Sequence, residues 1–247
     1  MKIRPSIVLF GDSITEQSFR YGGWGASLTD TYSRKADIVV RGYGGYTTRW
    51  ALFLLHHIFP LSSTTPPVAA TVFLGANDAA LPGRTSERQH VPLEEYKENL
   101  RKIVRHLKNA QKNVCGSTNI VWPLLTRDKN DLFQHKTVLT CYPAMKIPER
   151  TNEVTGDYAN GCVEVATEFG VSSINLWSRM QETQGWQKKF LSDGLHLTPD
   201  GNKVVFEEVI KVFNGAWLSA PDMPYDFPQY SDIDPHNPEK AFRERCL

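Results

Sequence analysis

Ile7-Val8-Leu9-Phe10-Gly11-Asp12-Ser13-Ile14-Thr15 is the stretch that decides how this chain is read. Four apolar residues that stop at Gly-Asp-Ser predict a buried strand ending in a tight turn. The turn sets the hydroxyl of Ser13 at the carboxyl end of that strand, where ligands bind in open α/β sheets. Glycine, aspartate and serine are common in turns of every kind, so the tripeptide alone says little. Asp193-Gly194-Leu195-His196, far along the chain, gives it meaning. There a carboxylate precedes an imidazole by three residues, just ahead of a helix start. One stretch offers a nucleophile; the other offers a base and the group that orients it.

Outward from Ser13, strands and helices alternate. Gly22 to Leu28 opens a helix expected to run to about Lys35, and Ala36 to Val40 is a β-branched strand. Arg41-Gly42-Tyr43-Gly44-Gly45-Tyr46 follows, a backbone that must bend sharply or admit a close approach. A helix is expected from Thr48 to about Phe59, stopped by Pro60. Val68 to Leu74 is continuously apolar, the pattern of a central parallel strand covered on both faces. It ends at Gly75-Ala76-Asn77-Asp78, a second polar turn behind a buried strand. Residues 79–92, with His90, read as a loop over any site here; Leu93, Tyr96, Leu100, Ile103, Val104 and Leu107 recur at helical spacing.

Asn119 to Leu125 is a fourth strand and Thr126 to Glu149 a long loop. Tyr158, Cys162, Val165, Ala166 and Phe169 share a helix face, and Val171 to Leu176 is the fifth strand. Trp177 to Lys189 reads as a polar, partly helical link. Thr198-Pro199-Asp200 is a helix start, with Val205, Val209, Val212 and Phe213 as the buried stripe. The expected fold is α/β: one three-layer α/β/α domain over residues 1–218 with a five-stranded parallel sheet of flavodoxin-like type. Residues 219–247, with five prolines and few aliphatics, form a tail that wraps the domain or stays disordered. Asp234 and His236 in that tail have no strand-turn context and carry little weight.

At 247 residues the chain can bury roughly three quarters of its unfolded surface, so a core needs no metal or disulfide. A net charge of +1 gives no field that attracts nucleic acid. Cys115, Cys141, Cys162 and Cys246 are scattered without metal spacing, as free thiols of a reducing compartment are. The amino-terminal apolar run is too short for a leader, and no stretch approaches the roughly 20 apolar residues of a membrane span. The expectation is a cytoplasmic protein acting on a small molecule; a homodimer paired through the tail stays open.

Three strand ends, at Ser13, Gly45 and Asn77, converge on one sheet edge, which is what acyl transfer requires. His196 can take the proton of Ser13, and Asp193 can hold the imidazole in the useful tautomer. The backbone N–H groups of Ser13 and Gly45 and the Asn77 amide are the candidate oxyanion donors.

These blocks, Gly11-Asp12-Ser13, the glycine of Gly44-Gly45-Tyr46-Thr47, Gly75-x-Asn77-Asp78 and Asp193-x-x-His196, resemble those of the GDSL/SGNH hydrolases over residues 7–213. Within that family the chain is similar to isoamyl acetate-hydrolysing esterase homologues, through residues 22–28, 45–50 and 89–96. The resemblance implies a serine esterase with Ser13 as nucleophile, His196 as base, Asp193 as orienter, and Ser13, Gly45 and Asn77 at the oxyanion. It implies no metal and no organic cofactor. The family often has serine where Gly44 stands, so a looser oxyanion loop is expected. Its relatives tend to have several prolines after the fourth strand, where this chain has Trp122-Pro123-Leu124-Leu125; that segment is expected to shape the acyl pocket.

Other readings stay open at this stage. A deacetylase or thioesterase would use the same residues. A metal-dependent phosphoesterase would use Asp12, Asn77, Asp78 and His196 as ligands, but such sites want more histidines. A binding module could keep the fold without the chemistry.

Overall fold

Strand β1 (Ser6–Gly11) sends Val8 and Phe10 to one face and Ile7 and Leu9 to the other, all of them buried. An alternating strand buried on both sides needs a helical layer on each. A computed structural model describes residues 4–110, 119–123 and 148–243, with 119–123 as backbone. In it β1 pairs in parallel with β2 (Asp37–Gly42) and β3 (Ala69–Phe73). Beyond β3 lie β4 (Asn119–Pro123) and β5 (Ser172–Ile174), giving the order β2-β1-β3-β4-β5. The order reverses between β1 and β3, which opens a crevice at their carboxyl ends.

One face carries α3 (Thr48–Ala51), α4 (Leu55–Ile58), α5 (Leu93–Ala110) and α6 (Asn152–Phe169). Its core holds Val8, Phe10, Ala70, Val72, Leu100, Ile103 and Val165. The opposite face carries α2 (Trp24–Thr31), α7 (Leu176–Gln181), α8 (Trp186–Phe190) and α9 (Pro199–Gly215). Trp24, Leu28, Phe73, Trp186, Val209 and Phe213 fill that core. Burying such side chains contributes about 1.5–3 kcal/mol each before chain entropy is subtracted.

Several elements differ from the sequence reading. The helix expected over Thr48–Phe59 is broken into α3, a 3-10 turn at Leu52–Leu54, and α4. Its two ends are anchored separately: Thr48 binds Asp78, and Phe59 packs edge-on against Phe10 with ring centroids 5.8 Å apart. The 3-10 turn takes up the length between those anchors. The fifth strand ends at Ile174, because the Asn175 side chain accepts from Ser178 N–H (2.9 Å) and starts α7 there. Residues 177–189 are more than a polar link: Met180, Trp186 and Phe190 are buried in the second core. Directly after β1, the expected polar link is the short helix α1 (Ser13–Glu16) and a 3-10 turn at Gln17–Phe19.

The tail begins as a continuation of the second core. Ala220 is buried, and Tyr32 Oη donates to the Leu218 carbonyl (2.7 Å). Asp226 accepts from both Arg4 and Arg34, and Arg34 donates to the Phe227 carbonyl (2.8 Å). Farther on, α10 (Pro238–Arg243) has no buried residue. Asp234 Oδ1 accepts from His236 N–H (2.8 Å), an exposed local turn. Among the described residues no helix is long and apolar enough to cross a membrane.

Candidate active site

The geometry begins with α1. Asp12 caps it by accepting from Ile14 N–H (2.9 Å), which fixes Ser13 as the first helical residue. The first N–H groups of a helix have no intrahelical acceptor, so Ser13 presents its N–H and hydroxyl together. Glycine is required around this turn by close approach. A Cβ on Gly11 would collide with Thr15 and the Phe73 carbonyl, and one on Gly42 with the Glu16 backbone.

His196 Nε2 lies 2.9 Å from Ser13 Oγ, and His196 Nδ1 lies 2.6 Å from Asp193 Oδ2. Asp193 Oδ1 accepts from the backbone N–H groups of Leu195 (2.9 Å) and His196 (2.8 Å), so its own loop holds the carboxylate in place for the ring. Gly194 at φ +83° lets that loop close. Burial pushes the Asp193 carboxyl upward, but hydrogen bonds from the His196 ring and backbone outweigh it and hold it well below the usual carboxylate range. The same bond raises His196 above its ordinary value, against a smaller downward pull from burial. Since Asp193 accepts at Nδ1–H, Nε2 is the basic nitrogen and faces the hydroxyl. The arrangement can remove a proton from Ser13 and return it elsewhere.

Gly45 has φ +78°, and its carbonyl accepts from Gln89 Nε2 (3.0 Å). The neighbouring Gly44 N–H donates to Glu16 Oε2 (2.5 Å). The loop is therefore pinned on both sides, where the glycine pair suggested looseness. Neither the Ser13 nor the Gly45 N–H has a hydrogen-bond partner among the described residues. Asn77 is buried: its Nδ2 donates to the Tyr46 carbonyl (2.9 Å) and its Oδ1 accepts from Arg150 Nη2 (3.2 Å). Arginine can only donate and a carbonyl can only accept, so these two contacts fix which amide atom is nitrogen.

Arg150 and Gln89 are the site residues that sequence reasoning missed. Arg150 also donates to the Ala76 carbonyl (2.5 Å) and to Gln89 Oε1 (2.9 Å), tying the Asn77 turn to the 79–92 loop. It stands at the end of a polar loop without periodicity, so only its fold position reveals it. His90, in contrast, binds the Ala80 carbonyl (2.6 Å) and closes its own loop. Residues 124–147, which hold Leu124, Leu125 and most of the expected 126–149 loop, lie outside the described residues.

Asp12 and Asp78 lie behind the site. Burial pushes Asp12 up to about 7, with a further upward push from Asp78 and opposition from the Ile14 N–H, His196 and Arg150. Burial likewise pushes Asp78 up to about 7, although it accepts from Thr48 N–H (2.9 Å) and Thr48 Oγ1 (2.5 Å). Both carboxyls are committed to holding turns. Among the described residues no group of three or more His, Cys, Asp and Glu side chains could hold a metal ion. Cys162 is a free, buried thiol, and burial pushes it up to about 12; the other three cysteines lie outside the described residues.

Comparison with known proteins identifies the family. The sequence profile described as GDSL-like lipase/acylhydrolase matches residues 7–209. The chain belongs to that family. It is a carboxylic ester hydrolase of the GDSL type. A GDSL esterase/lipase of Arabidopsis thaliana is 63% identical over 99% of this chain and 100% of its own length. An isoamyl acetate-hydrolyzing esterase 1 homolog of Bos taurus is 39% identical over 95% of this chain and 90% of its own. In fold, a lipase/acylhydrolase from Enterococcus faecalis superposes with TM-score 0.64 at 19% identity, covering 85% of this chain and 96% of that one.

Proposed function

We propose that this GDSL hydrolase cleaves short-chain, acetate-type esters through an acyl-enzyme on Ser13. The observation that carries the reading is the continuous relay Asp193–His196–Ser13, with contacts of 2.6 and 2.9 Å. In acylation, Ser13 Oγ bonds the ester carbonyl carbon while its proton passes to His196 Nε2. The oxygen that becomes negative is met by the N–H groups of Ser13 and Gly45 and by Asn77 Nδ2. The bond between the carbonyl carbon and the alkoxy oxygen then breaks, and the proton on Nε2 goes to that leaving oxygen, which departs as the alcohol. Water repeats the sequence from the same base, releasing the carboxylic acid and restoring Ser13. Asp193 keeps its charge throughout and stabilises the imidazolium.

The preference for acetate-type acyl groups is supported by likeness to the isoamyl acetate-hydrolyzing relative. A thioesterase or deacetylase would share this relay and differ in the leaving atom. The test is organophosphate labelling with mass spectrometry, combined with a nitrophenyl-ester chain-length series on wild type and Ser13→Ala. We expect the adduct on Ser13, the highest kcat/KM at the shortest acyl chains, and a loss of several orders of magnitude in the variant. An adduct on another residue, or an active Ser13→Ala protein, overturns the mechanism.

A further inference from the structure

Beside His196 lies a cavity of about 220 Å³ lined by residues that include Ile14, Gln17, Arg20, Tyr21, His196 and Asn202. Of the residues read as catalytic, His196 lines it, and Ser13, Gly45 and Asn77 do not. It exists because two distant segments meet. Gly22, at φ +70°, would place a Cβ 3.1 Å from Pro199, and Asn202 Oδ1 accepts from Trp24 N–H (3.2 Å). Asn202 Nδ2 donates back to the Thr198 carbonyl (3.0 Å), which makes this wall rigid. The Arg20 backbone is held in a turn, its N–H on the Gln17 carbonyl (3.0 Å) and its carbonyl accepting from Gly23 N–H (2.8 Å).

Arg20 is the one charged side chain among the described lining residues besides the His196 imidazole; Gln17, Tyr21 and Asn202 carry further N–H and O–H groups, and no carboxylate among the described residues lines the cavity. The Arg20 guanidinium has no ion-pair partner among the described residues, although most other arginines described have one. A guanidinium fork beside donor amides suits a carboxylate or phosphate.

We propose that this cavity receives the alcohol part of the ester, and that the preferred alcohol carries an anionic group met by Arg20. This rests on the reading of His196 as the acid that protonates the leaving oxygen. That oxygen must sit within hydrogen-bond reach of Nε2, so the rest of the alcohol extends past the imidazole, toward the cavity. Arg20 is a specificity residue in this scheme; it does not touch the reacting atoms.

The experiment compares two acetates of similar size, 4-acetoxybenzoate and neutral 4-acetoxybenzamide. The ratio of their kcat/KM values is measured in wild type, Arg20→Gln and Arg20→Glu. Using the ratio removes differences in folding and in active-site content between variants. An exposed charge contact is worth about 0.2–1 kcal/mol, so Arg20→Gln should lower the anionic-to-neutral ratio by up to about 5-fold. Arg20→Glu should lower it further, and added salt should shrink the wild-type preference. Binding of 4-hydroxybenzoate against 4-hydroxybenzamide to the Ser13→Ala protein reads the same discrimination without turnover. An unchanged ratio in both Arg20 variants overturns the proposal. If Ser13 is still labelled and acetate still released in that case, the esterase mechanism stands and only the alcohol assignment fails. If Ser13 is not labelled, both fail.

Discussion

Replacing Asn77 by alanine separates a catalytic amide from a turn residue. In the structure the side chain makes two contacts, to the Tyr46 carbonyl (2.9 Å) and from Arg150 (3.2 Å). Arg150 keeps its bonds to Ala76 and Gln89 when Asn77 is truncated, and Ala80 N–H keeps the Asn77 carbonyl (3.0 Å). The stability loss is therefore that of one or two buried hydrogen bonds, about 1–3 kcal/mol, and leaves a folded protein. That loss is expected whether or not the amide meets the oxyanion, so a melting curve cannot decide. Turnover can. An oxyanion donor acts mainly once the carbonyl becomes tetrahedral, and its removal costs about 2.7–4 kcal/mol, or roughly 10²–10³ in kcat. KM should move little when chemistry is slow relative to substrate release. The assay is kcat per active site, with active sites counted by organophosphate titration of Ser13. A value equal to wild type in Asn77→Ala refutes the oxyanion assignment and leaves Asn77 as scaffold held by Arg150.

Two further perturbations follow from the electrostatics and the tail. The base form of His196 is the active one and its proton affinity is raised by Asp193, so kcat/KM should climb with pH through a value above that of an ordinary histidine. Asp193→Asn should move this limb to lower pH and reduce kcat by roughly 10⁴, because the largest upward push on His196 and the tautomer-fixing acceptor are both lost; an unmoved limb excludes His196 as the titrating group. Ending the chain at Leu218 should lower Tm by roughly 5–10 °C, since it removes buried Ala220 and the Asp226 contacts to Arg4 and Arg34, together about 2–3 kcal/mol. The side-chain bond from Arg4 holds the Asp226 carboxyl below its ordinary value. Its stabilising contribution is thus present above the unfolded-state value and fades as pH falls through the folded one. A full-length protein no more stable than the truncated one at neutral pH would show that the tail contributes nothing.

What the sequence determined by itself is local. Apolar runs that stop at Gly11-Asp12-Ser13 and at Gly75-Ala76-Asn77-Asp78 identify strands and their ends, because a strand buried on both faces is almost wholly apolar until it leaves the sheet, Thr71 being the polar residue inside β3. Asp193 and His196 are legible because four consecutive residues of one loop suffice to bond them, whatever the rest of the fold does. Helix starts such as Thr198-Pro199 follow from capping chemistry in a few residues. The tertiary structure decided what depends on approach between distant segments. The break of the Thr48–Phe59 helix follows from anchors on Asp78 and Phe10. The pinning of Gly44 by Glu16 and of Gly45 by Gln89 overrides the freedom that two glycines have in isolation. Arg150 has no periodic or motif signal, and its bond to Asn77 crosses 73 positions of chain. The cavity beside His196 exists only where Gly22 meets Pro199, and a contact between residues so far apart leaves no mark on the sequence around either one.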